Sequence, residues 1–155
     1  MHDQNQNEPA PTSDEKLLAM LAHLSVFLGG IILPIIIWAT QKDKSKFVRF
    51  HSLQSIFFHI AFIGIIIGFI LLFIVILLIS GFGLGMFTEA DVRGGEGLPV
   101  FMIIIMIILY GGIFLIVFGG IGYSIYLALK TYKGNLVKIP VIGKIVYKKV
   151  YGQTP

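Results

Sequence analysis

Hydrophobic and polar positions fall in long blocks along this chain, not in short alternations. No Asp, Glu, Lys or Arg occurs from Leu17 to Gln41, from Phe50 to Thr88, or from Gly97 to Leu129. Each block exceeds the roughly 18 to 20 apolar residues that carry a helix across a bilayer core. The pattern therefore predicts an all-α integral membrane bundle of three transmembrane helices, over residues 17–39, 53–79 and 100–129. A polar tail over residues 1–12, rich in Gln, Asn, Pro and acid, has little to bury and is expected to be disordered. Residues 13–130 form the membrane domain and residues 131–155 a basic interfacial C-terminal segment.

Local signals refine these boundaries. "TSDE" puts Glu15 three residues after Thr12, the spacing of a capping box, so the first helix begins at Thr12 or Ser13. The acidic start lacks the positive first region of a secretory signal peptide, and the first hydrophobic segment is expected to stay in the mature protein. Within "LLAMLAHLSVFLGGIILPIIIWA", Gly29, Gly30 and Pro34 interrupt the helix. Proline removes a backbone donor and predicts a kink. Read as one helix, the segment just crosses the core; broken at those three residues, it is a re-entrant hairpin.

The second span runs into "SGFGLG". Gly81, Gly83 and Gly85 follow no strand, so they are not a nucleotide-binding fingerprint. "TEADVRGGEG" reads as a polar loop, and Pro99 suits the first turn of the next helix. The 30 residues from Val100 to Leu129 are too few for two spans, which need about 40 residues and a turn, so one long helix is expected.

Composition agrees with this class. Hydrophobic residues make up 56% of the chain and charged residues 13%, against about a quarter charged in soluble domains, and the mean hydropathy is +0.90. There is no Cys, which removes disulfide, zinc-thiolate and redox chemistry from consideration.

Charge sets orientation. Lys42, Lys44, Lys46 and Arg49 crowd the first loop, and Lys130, Lys133, Lys138, Lys144, Lys148 and Lys149 the tail, while the second loop has Arg93 alone. The positive-inside rule puts both basic regions, and the C-terminus, in the cytoplasm with two crossings between them. Three full spans then place the N-terminus outside; a re-entrant first segment leaves it inside. Lys42, Lys44, Lys46, Arg49, Lys144, Lys148 and Lys149 are expected to contact anionic lipid headgroups. With no soluble domain to present them, the basic residues do not indicate nucleic acid.

Candidate chemistry is sparse. His51, Ser55 and His59 lie at i, i+4 and i+8, with Gln54 beside them, and make a polar stripe on the second helix. Such groups face protein or water, not lipid. His23 and Ser25 are their counterparts in the first segment. His51 and His59 stand about 12 Å apart along the helix, too far to share an ion, and only the re-entrant form brings His23 near them. Packing and hydrogen bonding are the expected roles, with no catalytic set, cofactor or metal site. Leucine at Gln54 or His59 is then expected to leave a passive bundle unchanged or more stable. Gly64 and Gly68 form a GxxxG, and Gly112, Gly119, Gly120 and Ser124 recur at helical spacing, positions that let helices pack closely within one chain or between copies.

The combined pattern resembles a known family. "AHLSVFLGGIILPIIIWATQKDKSKFVRFHSLQSIFFHI", with a third span and "YKGNLVKIPVIGKI", is similar to small bacterial membrane proteins carrying a domain of unknown function. Their relatives include magnetosome proteins of the MamF and MmsF type and the Tic translocon subunit of the chloroplast inner envelope. The pieces that carry it are His23, Leu24, Ser25, Leu33, Pro34, Lys42, Asp43, Lys44, Phe47, Val48, Arg49, His51, Gly134 and Pro140. Family members often have Pro where Ser45-Lys46 stands, and Glu-Ala-Leu-Asn-Phe where residues 53–57 read "LQSIF". The acid of that motif is missing here, and with it any role resting on its charge. The resemblance implies a bundle of a few transmembrane helices in a bacterial inner membrane, with no established enzyme activity and with relatives that act in protein import or in building specialised membranes. The leading expectation is an accessory component that binds lipid and a partner membrane protein, or a homo-oligomer. The alternatives are a channel or translocon subunit and an intramembrane enzyme or metal carrier.

Overall fold

A computed structural model describes the backbone of residues 9–85 and 100–152 and the side chains of residues 9–79 and 103–152. Most of the expected disordered tail, the glycines of "SGFGLG" and the polar loop lie outside the described side chains. Every regular element among the described residues is helical: α1 Ser13–Leu24, α2 Ile32–Gln41, α3 Lys46–Gly85, α4 Val100–Tyr132 and α5 Ile142–Tyr151.

The expected continuous span over residues 17–39 is not formed. It is two helices of 12 and 10 residues, about 18 and 15 Å long, and neither crosses a core of about 30 Å. The physical cause is Gly29 and Gly30, at φ 115° and 59°, a backbone region open to glycine and closed to most other residues. Pro34 does not kink a helix. It falls in the first turn of α2, where its missing N–H has no intrahelical partner to lose.

Two helices are long and apolar enough to cross a membrane, within Lys46–Ile79 and Ile103–Tyr132. Only 6% of the most apolar stretch of α3, and none of that of α4, is buried. The core helix of a soluble protein would be covered, and these are not, which supports a place in a membrane.

The chain divides into two units, Met1–Ala61 with Ile121–Pro155, and Phe62–Gly120. In the first, α1 starts with the expected capping box: the Thr12 hydroxyl accepts from the Glu15 N–H at 3.3 Å and the Glu15 carboxylate from the Thr12 N–H at 2.7 Å. The Ser45 hydroxyl, then the Thr12 main chain, hold the Glu15 carboxyl below its ordinary value of 4.5. Ala19 and Ala22 of α1 pack with Ile37 of α2 and with Phe47 and Val48 of α3. The tail breaks at Gly134, φ 83°, and again at Pro140 and Val141, φ 64°. It then forms α5, whose Gly143, Val146, Tyr147 and Val150, at i, i+3, i+4 and i+7, are buried. Val146, Tyr147 and Val150 cluster with Phe50 and Leu53.

In the second unit, α4 accommodates rings from α3. A side chain at Gly112 would occupy the place of the Phe69 ring, and one at Gly120 that of Phe62. Gly64, Gly68 and Gly119 have nothing within 4 Å of the position a Cβ would take.

Candidate functional site: a buried histidine and serine layer

Every α-helix ends with carbonyls that have no intrahelical partner, and where that end is buried from water other groups must take them. α1 ends within the first unit, and side chains of the two long helices meet this need. Ser55 Oγ of α3 donates to the Ala22 carbonyl at 2.5 Å, and Ser124 Oγ of α4 donates to the His23 carbonyl at 2.5 Å. Both serines are buried. The stripe on α3 is thus a docking surface for the end of α1, and Ser124, expected to serve helix packing, is a hydrogen-bond donor.

The histidines occupy the same layer. The His59 Nδ1–H donates to the Ser55 carbonyl at 2.8 Å, which fixes the tautomer and leaves Nε2 to accept from Ser25 Oγ at 3.4 Å. His23 Nε2 and His51 Nδ1 lie 3.1 Å apart. Their ring centroids are 5.3 Å apart, so the two nitrogens sit nearly on the line joining the rings. That is the geometry of one ring donating to the other, not of two lone pairs converging on a shared ion. At least one of the two rings must be unprotonated at the contact. Thr131 Oγ1 also approaches His51 Nδ1, at 3.3 Å, while Phe47 and Phe50 meet the His51 ring edge to face at 4.7 and 5.0 Å. The outer nitrogens, His23 Nδ1 and His51 Nε2, are buried and make no hydrogen bond; the Asn135 main chain lies on the His51 side. Among the described residues no group of three or more His, Asp or Glu could hold a metal ion.

Gln54 does separate work. Its Nε2 donates to the Val137 carbonyl and its Oε1 accepts from the Ile139 N–H, both at 2.9 Å. One buried amide so takes two main-chain groups of the tail and fixes the path into α5. Gly143 lies against it: a Cβ there would stand 2.8 Å from Gln54 Oε1 and 2.7 Å from Lys138 Cα.

The basic residues belong to the same unit. Lys42, Lys44, Lys46, Lys144, Lys148 and Lys149 are exposed and Arg49 is half-buried. Several ammonium groups lie over aromatic faces, Lys138 over Tyr147 at 4.0 Å and Lys42 over Trp38 at 5.9 Å, an arrangement suited to a membrane boundary.

Sequence reasoning singled out His23, Ser25, His51, Gln54, Ser55 and His59, and the structure gathers all six in the first unit. It missed Thr131, although Thr131 stands seven residues after Ser124 on the same face of α4, and that spacing was the available signal. It also missed the attachment of Gln54 to the tail, which no local pattern encodes.

The sequence profile of the magnetosome magnetite crystal formation protein family, MamF/MmsF, matches residues 14–146. The uncharacterized protein YvlA of Bacillus subtilis is 29% identical over 119 residues, covering 76% of this chain and 94% of that protein. No solved structure matches.

Proposed function

The chain belongs to the MamF/MmsF family, and from that premise we propose that it is a non-enzymatic accessory component of a bacterial inner membrane. The family description names magnetite crystal formation, and an accessory part in such a membrane-bound process is the role carried over. One observation supports it most: Ser55, Ser124 and Gln54 of the buried layer spend their hydrogen bonds on the end of α1 and on the tail. What faces outward is apolar helix and exposed lysine. Such a surface suits lipid acyl chains, anionic headgroups and the helices of a partner. A pore lined by the same stripe would need those groups turned to water.

By the positive-inside rule the lysine-rich end is cytoplasmic, and a hairpin returning to its own side puts the N-terminus there as well. Cysteines at Ser13 and Lys44 test this in a chain that has none of its own. An impermeant thiol reagent should label both only after the cytoplasmic face is opened; labelling of position 13 in intact cells refutes the topology. Mild extraction and mass measurement of the intact assembly test the role. A partner in fixed ratio, or anionic lipid retained through the Lys144, Lys148 and Lys149 face, is expected. An ion conductance in purified bilayers would replace this reading with the channel one.

A further inference from the structure

The α1–α2 hairpin has polar ends and an apolar turn. Asp14, Glu15 and Lys16 open α1, Lys42, Asp43 and Lys44 follow α2, and no charged residue lies between. At the turn, Phe27, Leu28 and Ile32 are 56%, 57% and 63% exposed, and all three lie outside both apolar clusters. The turn also supplies hydrogen bonds to its own main chain. The Phe27 N–H donates to the Leu24 carbonyl at 3.0 Å, and the N–H groups of Leu28 and Gly30 donate to Ser25 at 3.0 and 2.7 Å. The Ile32 N–H donates to Gly29 at 3.3 Å. Self-satisfaction of this kind is what irregular backbone needs where it meets hydrocarbon.

Length fixes how far the hairpin reaches. At about 1.5 Å per residue, the 12 and 10 residues of its arms penetrate about half of a 30 Å core. Polar ends at one interface and an exposed apolar tip in the core describe an element that enters and leaves through one leaflet. α5 adds to the same picture within the same unit. It turns Lys144, Lys148 and Lys149 outward, with Val141 and Ile145 exposed among them, the pattern of a helix lying at a headgroup boundary.

We propose that the α1–α2 hairpin is a wedge in the leaflet next to the exposed lysines, so that the protein gathers on membrane that is convex on that face. The occupant of the Phe27–Ile32 tip is the acyl chains of that leaflet. The reason is areal: a segment that turns back halfway enlarges the leaflet it enters and leaves the other unchanged, and a bilayer relieves the mismatch by bending. The inference rests on the membrane placement of the chain and not on any partner or lipid charge preference, so it stands or falls apart from the accessory role.

The test uses the full chain in giant vesicles of phosphatidylcholine and phosphatidylglycerol, carrying Lys44→Cys as its single thiol. An impermeant dye marks only molecules whose basic end faces outward. When a membrane tether is pulled from the vesicle, label density on the tether is expected to be several-fold higher than on the flat membrane and to rise as the tether narrows. Equal density overturns the proposal. The variant Phe27→Ser/Leu28→Ser/Ile32→Ser should lose the enrichment, and full enrichment in that variant also overturns it. A separate measurement does not depend on how that variant folds. With Leu28→Cys carrying an environment-sensitive dye, lipids brominated deep in the chain should quench more than lipids brominated near the headgroup. Stronger quenching near the headgroup, or aqueous labelling of position 28 from the face opposite Lys44, shows that no half-depth wedge exists.

Discussion

Replacing Gln54 with leucine separates the structure from the expectation of a passive stripe. On that expectation the change is neutral or stabilising, because a polar group leaves an apolar helix. In the structure it removes two hydrogen bonds of 2.9 Å and leaves the Val137 carbonyl and the buried Ile139 N–H without partners. Each neutral bond contributes about 0.5 to 1.5 kcal/mol, and an orphaned buried group costs about 1 to 3 kcal/mol. Part of that cost is relieved when the tail lifts and its groups reach water. A local destabilisation of about 2 to 3 kcal/mol is expected, confined to the segment between Gly134 and α5. Amide hydrogen exchange in nanodiscs reads it directly: the Ile139 amide should exchange about 30 to 140 times faster, at about 1.4 kcal/mol per tenfold. Trypsin should also reach Lys138 sooner. An Ile139 amide as protected in Gln54→Leu as in the parent chain would falsify the clamp.

Three other perturbations follow from the same layer. Gly143→Ala places a Cβ 2.7 Å from Lys138 Cα and 2.8 Å from Gln54 Oε1; overpacking of this kind costs about 1 to 3 kcal/mol, and faster tail exchange with α3 undisturbed is the expected result. Ser124→Ala leaves the His23 carbonyl unpaired, and since side-chain hydrogen bonds in membrane proteins average about 0.6 and reach about 1.7 kcal/mol, a loss near 1 kcal/mol should appear in unfolding from lipid. No change there means that water or another donor reaches His23. The Glu15 carboxyl is held below 4.5, first by the Ser45 hydroxyl, so its stabilisation of the start of α1 is present above that value and fades as pH falls through the lowered one. Amides of residues 13–16 should loosen on acidification in the parent chain and much less so in Ser45→Ala.

The class of this protein was legible because hydrophobicity and charge are properties of composition, and a charge-free block of 30 or more residues has few structural meanings. The start of α4 and the capping box at Thr12 and Glu15 followed from local rules, whereas α3, Lys46–Gly85, overruns the expected 53–79 at both ends, through the basic residues before it and the glycines after it. The first segment was harder. Its 23 uncharged, mostly apolar residues satisfy the length of a span, and only the backbone at Gly29 and Gly30, both with positive φ, turns them into a hairpin; a sequence names the glycines without naming their dihedrals. The His23 to His51 contact joins residues 28 apart, and the Gln54 clamp joins residues 83 and 85 apart. Both depend on that turn and on the break at Gly134, so no periodicity along one helix could reveal them.

The rings of Phe62 and Phe69 stand where α4 has Gly120 and Gly112. The consequence is genetic as much as mechanical. A methyl group added at either glycine collides with a ring, and a smaller side chain at either phenylalanine leaves a void, so each change alone is penalised while the matched pair is tolerated. In a library of this chain, positions 62 and 120, and positions 69 and 112, should accept substitutions as couples. Gly64, Gly68 and Gly119, with open space before them, should vary one at a time.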